Sequence, residues 1–163
     1  MTVTDLLDSA RARGLMVATA ESCTGGMVGA AITDIAGSSA VFDRGFLTYT
    51  NAAKKQLLGV QAATLDAYGA VSQEVAAEMA AGALAASDAQ IAVSITGIAG
   101  PGGSGQKPEG RVCFGIASAH GLRTETVEFG ARGRGEVRVA ARDHALALLL
   151  EETRRFPETT KPD

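Results

Sequence analysis

Ser22 lies inside Glu21-Ser-Cys-Thr-Gly-Gly26, directly after the apolar run Leu15-Met-Val-Ala-Thr-Ala20 and just before Met27, where helical spacing resumes. A hydroxyl at the point where a buried strand turns into a helix stands beside unpaired amides and the positive end of the helix dipole, which together stabilise an anion. Gly25 and Gly26 let backbone come close to a bound molecule. Three uses fit the segment: a nucleophile with the Thr24–Gly26 amides holding an oxyanion, a phosphate cradle, or a helix cap by Ser22 or Thr24. A nucleophilic serine needs a base. Of the chain's four lysines, two are adjacent in Thr48-Tyr-Thr-Asn-Ala-Ala-Lys-Lys55, at the next strand end. On a helix starting at Asn51, Lys54 and Lys55 point about 100° apart, so one can face a cleft while the other stays in water. Two solvated lysines are the plainer alternative.

Other chemistries lack their residues. His120 and His144 are the only histidines and sit in no zinc-binding spacing, and no Gly-x-Ser-x-Gly elbow is present to support a serine triad. Both read as surface or helix-face histidines. Gly100-Pro-Gly-Gly-Ser-Gly105 fits Gly-x-Gly-x-x-Gly, but a strand follows it where dinucleotide binding needs a helix. Ser104-Gly-Gln-Lys107 fits Ser-x-x-Lys, yet glycines surround the serine and Pro108 follows the lysine, so it is not the helical motif of penicillin-recognising enzymes.

The elements that must position these residues follow from periodicity. Helices are expected over 3–13, 27–35, 51–58, 72–86 (capped by Ser72) and 134–156, and strands over 15–20, 40–50 (with a bulge at Gly45), 91–97, 111–118 and 122–129. The last two strands form a hairpin through His120-Gly121. Helices and strands alternate early and the hairpin comes late, which predicts an α/β fold, a three-layer α/β/α sandwich on a mixed, mostly parallel sheet. Ligands in such sheets gather at the carboxyl ends of strands. Three ends carry polar or glycine-rich segments: 21–26, 48–55 and 96–110.

Composition bounds the rest. The chain has 163 residues, 46% hydrophobic and 20% charged, so it can bury a core and is not intrinsically disordered. The expected organisation is one domain over residues 1–156 and a polar tail over 157–163. Cys23 and Cys113 share no Cys-x-x-Cys spacing, which excludes a disulfide scaffold and a cysteine-rich zinc site. The amino terminus has no apolar signal core and no run approaches ~18 apolar residues, so a cytoplasmic protein without membrane contact is expected. A net charge of −3 gives no footprint for nucleic acid.

Glu21-Ser-Cys-Thr-Gly-Gly26, Ile35-Ala-Gly-Ser-Ser39, Gly45-Phe-Leu-Thr-Tyr49 with Asn51 and Lys54, Gly69-Ala-Val-Ser72, and Thr96-Gly-Ile-Ala-Gly-Pro101 followed by Lys107-Pro108 and Gly110 together resemble the CinA carboxy-terminal domain family. The match runs through nearly the whole chain in the family's order and is similar to the stand-alone form. Members act as nicotinamide-nucleotide amidohydrolases, converting nicotinamide mononucleotide (NMN) to nicotinate mononucleotide and ammonia. The resemblance implies a serine–lysine pair, Ser22 and Lys54, with Tyr49 in the same hydrogen-bond network and no metal or organic cofactor. Substrate contacts are expected from Thr24, Gly25, Gly26, Asn51, Thr96, Gly97 and Gly100 and from Arg138, which with Arg134 matches a family Arg-x-x-Val-Arg segment; the Thr96–Gly100 segment and Arg138 are the expected phosphate donors, and the flat ring is expected in an apolar slot near Tyr49. Glu109 departs from the apolar residue that many relatives carry. A homo-oligomer, at least a dimer, is implied as well.

The expected mechanism uses neutral Lys54 to take the Ser22 proton, with a lysine pKa lowered by burial or by the neighbouring Lys55 cation. Two other readings remain open: a nucleotide-binding regulatory module without catalysis, and a serine amidase acting on a different small amide.

Overall fold

A computed structural model describes residues 2–159. Residues 160–163 of the expected tail lie outside the described residues, while Thr159 donates its amide to the Ala12 carbonyl at 3.0 Å. The chain forms α1 (Val3–Ala12), β1 (Val17–Glu21), α2 (Met27–Thr33), a 3₁₀ turn (Ser38–Ala40), β2 (Phe42–Leu47), α3 (Asn51–Leu58), α4 (Ala62–Tyr68), α5 (Gln73–Ala85), β3 (Ile91–Gly97), β4 (Arg111–Ser118), β5 (Gly121–Glu128) and α6 (Arg134–Thr153). The five strands make one mixed sheet in the order β2-β1-β3-β4-β5, parallel from β2 to β3 and antiparallel from β3 to β5.

Strand alternation builds two different faces. Val17, Ile91, Val93, Ile95, Val112, Phe114 and Ile116 point to one side, where Leu6, Ile32, Val137 and Leu149 of α1, α2 and α6 complete a core of large side chains. Ala18, Ala20 and Ala92 point to the other, against Val75, Met79 and Ala83 of α5 and Leu58 of α3. Small residues on both sides let α5 lie close to the sheet, close enough for Ser94 Oγ to donate to the Ala76 carbonyl at 2.6 Å.

Two expectations shift and one element is new. The irregularity in β2 is at Asp43, because Val17 pairs with Phe42 and Ala18 with Arg44, and not at Gly45. Gly45 instead faces Thr19, where a Cβ would sit 2.7 Å from the threonine Oγ1. The hairpin turns at Ala119-His120, since Ser118 and Gly121 pair. α4 has no fully buried residue and so no apolar stripe to announce it in the sequence.

Candidate active site

Register decides what meets at the carboxyl ends. Glu21 pairs with Leu47 on one side and Ile95 on the other, so the residues that follow, Ser22, Thr48 and Thr96, emerge side by side from three parallel strands. The ladder is continued by the Ser22 amide on the Ile95 carbonyl (3.0 Å) and the Thr48 amide on the Glu21 carbonyl (2.8 Å). Thr50 caps α3 through the Ala53 amide at 3.0 Å, and one turn into that helix Lys54 turns back over the strand ends.

Lys54 is 1% exposed. Its Nζ lies 3.0 Å from Ser22 Oγ, 2.9 Å from the Thr48 carbonyl and 3.1 Å from the Tyr49 carbonyl. Burial lowers its pKa from the ordinary lysine value, against a smaller opposing pull from the Cys23 thiol. The expected cation effect of Lys55 is absent from that balance: its side chain is one helix position further round, in water, where its charge is screened. Cys23, next to the serine, is buried, and desolvation pushes its thiol up to about 11. Near neutral pH the sulfur is therefore protonated and weakly nucleophilic, and the oxygen beside Lys54 Nζ is that of Ser22.

The turn after Ser22 satisfies itself. Gly25 and Gly26 take φ of 59° and 103°, left-handed values that allow the chain to double back into α2. The anion at the start of α2 is the protein's own: the Glu21 carboxylate, 2% exposed, accepts from Thr24 Oγ1 (2.6 Å), the Val28 amide (2.9 Å) and the Gly29 amide (3.1 Å). That occupation corrects the expectation of a free helix end beside the serine. The Gly25 amide donates to the Ser22 carbonyl and the Met27 amide to the Thr24 carbonyl, both at 3.0 Å. The amides of Cys23, Thr24 and Gly26 donate to no other residue among the described residues. From α6, Arg138 spends Nε on the Cys23 carbonyl (3.0 Å) and Nη2 on the Thr24 carbonyl (3.3 Å). Because carbonyl and N–H of one peptide point in opposite directions, this turns the Thr24 N–H away from Arg138.

A cavity of about 190 Å³ opens over the pair, lined by Ser22, Cys23, Tyr49, Asn51, Lys54, Ala70, Val71, Thr96, Gly97, Ala99 and Arg134. Of the expected residues, Ser22, Tyr49, Asn51, Lys54, Thr96 and Gly97 come together there. Thr24, Gly25, Gly26 and Arg138 build the turn behind it and do not line it. Gly100 contributes at the rim, its carbonyl accepting from Arg134 Nη1 at 2.7 Å, while Arg134 Nη2 donates to the Tyr49 hydroxyl at 2.9 Å. Neither histidine is in the cavity: His144 pairs with Glu125, and His120 packs on Phe156. Among the described residues no group of three or more His, Cys, Asp or Glu side chains could hold a metal ion, and no helix is long and apolar enough to cross a membrane.

The sequence model of the CinA C-terminal domain matches residues 2–153. The chain belongs to this family. Nicotinamide-nucleotide amidohydrolase PncC of Escherichia coli K12 is 54% identical over 143 residues, 87% of each chain. The crystal structure of the competence/damage inducible protein CihA from Agrobacterium tumefaciens superposes with a TM-score of 0.83 at 49% identity, covering 90% of this chain and 94% of that one. A CinA superfamily protein from Klebsiella pneumoniae gives 0.90 at 35% identity, covering 94% and 96%. Within this CinA fold, Glu21, Cys23, Ala70, Val71, Ala99 and Arg134 are positions that sequence reasoning left out of the site. Glu21 carried a signal, as a carboxylate sandwiched between a buried strand and a helix start, and so did Arg134, as the first arginine of the family segment that singled out Arg138.

Proposed function

We propose that this chain hydrolyses the carboxamide of NMN to nicotinate mononucleotide and ammonia, with Ser22 as nucleophile and Lys54 as its base. The observation that carries the reading is the 3.0 Å approach of a buried, carboxylate-free lysine to the serine hydroxyl at the floor of a cavity. The names of the amidohydrolase relatives support the substrate.

Two carbonyls, Thr48 and Tyr49, hold two N–H bonds of Lys54, so the neutral amine directs its lone pair at Ser22. Nζ takes the Ser22 proton as Oγ bonds to the carboxamide carbon, and the oxyanion is met by the Cys23 and Thr24 amides. The C–N bond then breaks, and the proton on Lys54 leaves with the amine as ammonia. Water adds to the resulting ester, giving its proton to Lys54, and Ser22 Oγ regains that proton as nicotinate mononucleotide departs. At about 190 Å³ the cavity is smaller than the ~300 Å³ typical for a whole drug-sized ligand, so it takes the pyridine ring and amide between Ala70, Val71 and Ala99. Ribose and phosphate extend past the rim, where Arg134 is the nearest lining cation. The phosphate role expected for Arg138 passes to Arg134, because Arg134 lines the cavity at its exposed rim while Arg138 lies behind the turn.

Ammonia release from NMN by purified wild type, with Ser22→Ala in parallel and a chelator in every sample, tests this. Chelator-resistant turnover by wild type, reduced about 10³-fold in the variant, is expected. A folded wild type that releases no ammonia overturns it, as does a Ser22→Ala protein of comparable activity.

A further inference from the structure

The wall of the cavity facing the glycine-rich loop has no regular structure. It is the linker between α4 and α5, residues 69–72, and α4 itself buries no residue fully, so little apolar packing fixes it. Side chains fix it instead. Four consecutive carbonyls each receive a side-chain donor: Tyr68 from Lys107 Nζ at 2.6 Å, Gly69 from Ser72 Oγ at 2.8 Å, Ala70 from Thr96 Oγ1 at 2.8 Å, and Val71 from Lys107 Nζ at 2.6 Å. Ser72 is local and Thr96 belongs to β3. Lys107 alone reaches across from the glycine-rich loop, and it takes both ends of the row.

The loop is shaped to deliver it. Ser104 and Lys107 exchange backbone hydrogen bonds (2.9 and 3.0 Å) in a tight turn, which sends the lysine side chain outward from the turn to the linker. Gly69, at φ 76°, is where the ammonium passes, and a Cβ there would lie 3.0 Å from Nζ. A cation against the last carbonyl of α4 also meets the negative end of that helix.

We infer that Lys107 is a positioning residue that fixes the 68–71 wall, and through Ala70 and Val71 sets the width of the slot that receives the substrate ring. A charge-assisted hydrogen bond to each end holds the carbonyls on the loop side and keeps the two small side chains facing Ser22. Lys107 does not touch the reacting atoms. Its removal loosens binding and leaves the Ser22–Lys54 pair in place. The kinetic consequence rests on the amidohydrolase reading of this cavity; the structural one does not.

Lys107→Met, which keeps the length and removes the donors, and Lys107→Arg, which keeps charge and donors, test the inference in the full chain. For Lys107→Met we expect KM for NMN to rise about tenfold or more, the scale of one lost charge-assisted hydrogen bond, with kcat changed less than about threefold and its pH profile unmoved. Lys107→Arg recovers most of the wild-type KM. Amide hydrogen exchange should accelerate in Lys107→Met over residues 65–76 and not in β1, β3 or α6. Unchanged exchange over 65–76 overturns the clamp, and faster exchange with KM unmoved overturns its role in binding. So does an arginine variant no better than methionine. Should wild type leave NMN intact, the amidohydrolase reading fails, and the exchange comparison still decides whether Lys107 fixes the wall.

Discussion

Lys54 has three neighbours within hydrogen-bond reach, and its protonation state decides what is left for Ser22. As an ammonium it donates to all three; as an amine it keeps the Thr48 and Tyr49 carbonyls and offers Ser22 a lone pair. Burial without a carboxylate partner favours the amine, so the folded pKa lies below the ordinary ~10.4 of an unfolded lysine. Between those two values the unfolded chain binds more protons than the folded one, and stability therefore rises with pH in that window. In urea titrations across pH 7–11, the stability of wild type relative to Lys54→Met should shift towards wild type as pH rises; a flat difference would mean that the lysine titrates normally. If Lys54 is the base proposed above, the same ionisation governs turnover, and acylation should climb with pH through the lowered pKa. Lys54→Arg, whose guanidinium stays charged, should lose about 10³-fold in kcat. The meeting of Ser22 and Lys54 was legible only in part: Ser22 follows a buried strand and precedes a helix start, whereas Lys54 follows the half-exposed β2 inside α3, where spacing left two solvated lysines as the plainer reading and the family resemblance alone singled it out. The Lys55 effect was misjudged because adjacency along a helix is not proximity at its surface. Arg138 was legible as important, but its partners, the Cys23 and Thr24 carbonyls, lie more than a hundred residues away and leave no local trace.

At the scale of elements, the position of Lys54 depends on how α3 is seated. Its last turn rests on α5, where Gly82 meets Leu58 so closely that a Cβ on Gly82 would overlap the Leu58 carbonyl. Gly82 sits in the last turn of α5, in an alanine-rich stretch where glycine costs up to about 1 kcal/mol relative to alanine by propensity alone. The helix accepts that cost for the close approach. Gly82→Ala should therefore destabilise the protein by about 2 kcal/mol despite the better helix former. On the proposed mechanism it should also lower kcat more than it raises KM, because α3 carries Lys54 while the 68–71 carbonyls keep their bonds from Lys107 and Thr96. A variant as stable and active as wild type would show that α3 can shift without consequence. Sequence periodicity found the helices that bury a stripe, α1, α5 and α6, and strands buried along almost their whole length, such as β1 and β3. It passed over α4, whose exposed sides carry no period, and it gave no reason to look twice at Gly82.

For the molecule as a whole, the sheet divides the work: β2, β1 and β3 bring the reactive ends together, and β4 and β5 brace them from the far edge. The brace is tied to the helical layer by Glu152, 1% exposed on α6, which accepts from Ser118 Oγ of β4 (2.6 Å) and from Arg123 Nη2 of β5 (2.6 Å). Arg155 adds a contact at 3.3 Å, and the next residue, Thr153, shares a 2.6 Å hydroxyl contact with Ser9 of α1. Desolvation alone would raise the Glu152 pKa, but these hydrogen bonds outweigh it and the carboxyl is held below its ordinary value. A depressed carboxylate contributes stability that is fully present above the unfolded pKa of ~4.3 and is lost as pH falls through the folded value. Glu152→Gln should lower the free energy of unfolding at pH 7 by about 2 kcal/mol, and the unfolding midpoint with it, given that both arginines can turn to water. The gap between variant and wild type should close as the solution is acidified below the folded value. Since no member of this network lines the cavity, KM for NMN should not move. A change in KM with an unchanged unfolding midpoint would place Glu152 in the path of the substrate and contradict the division between brace and site.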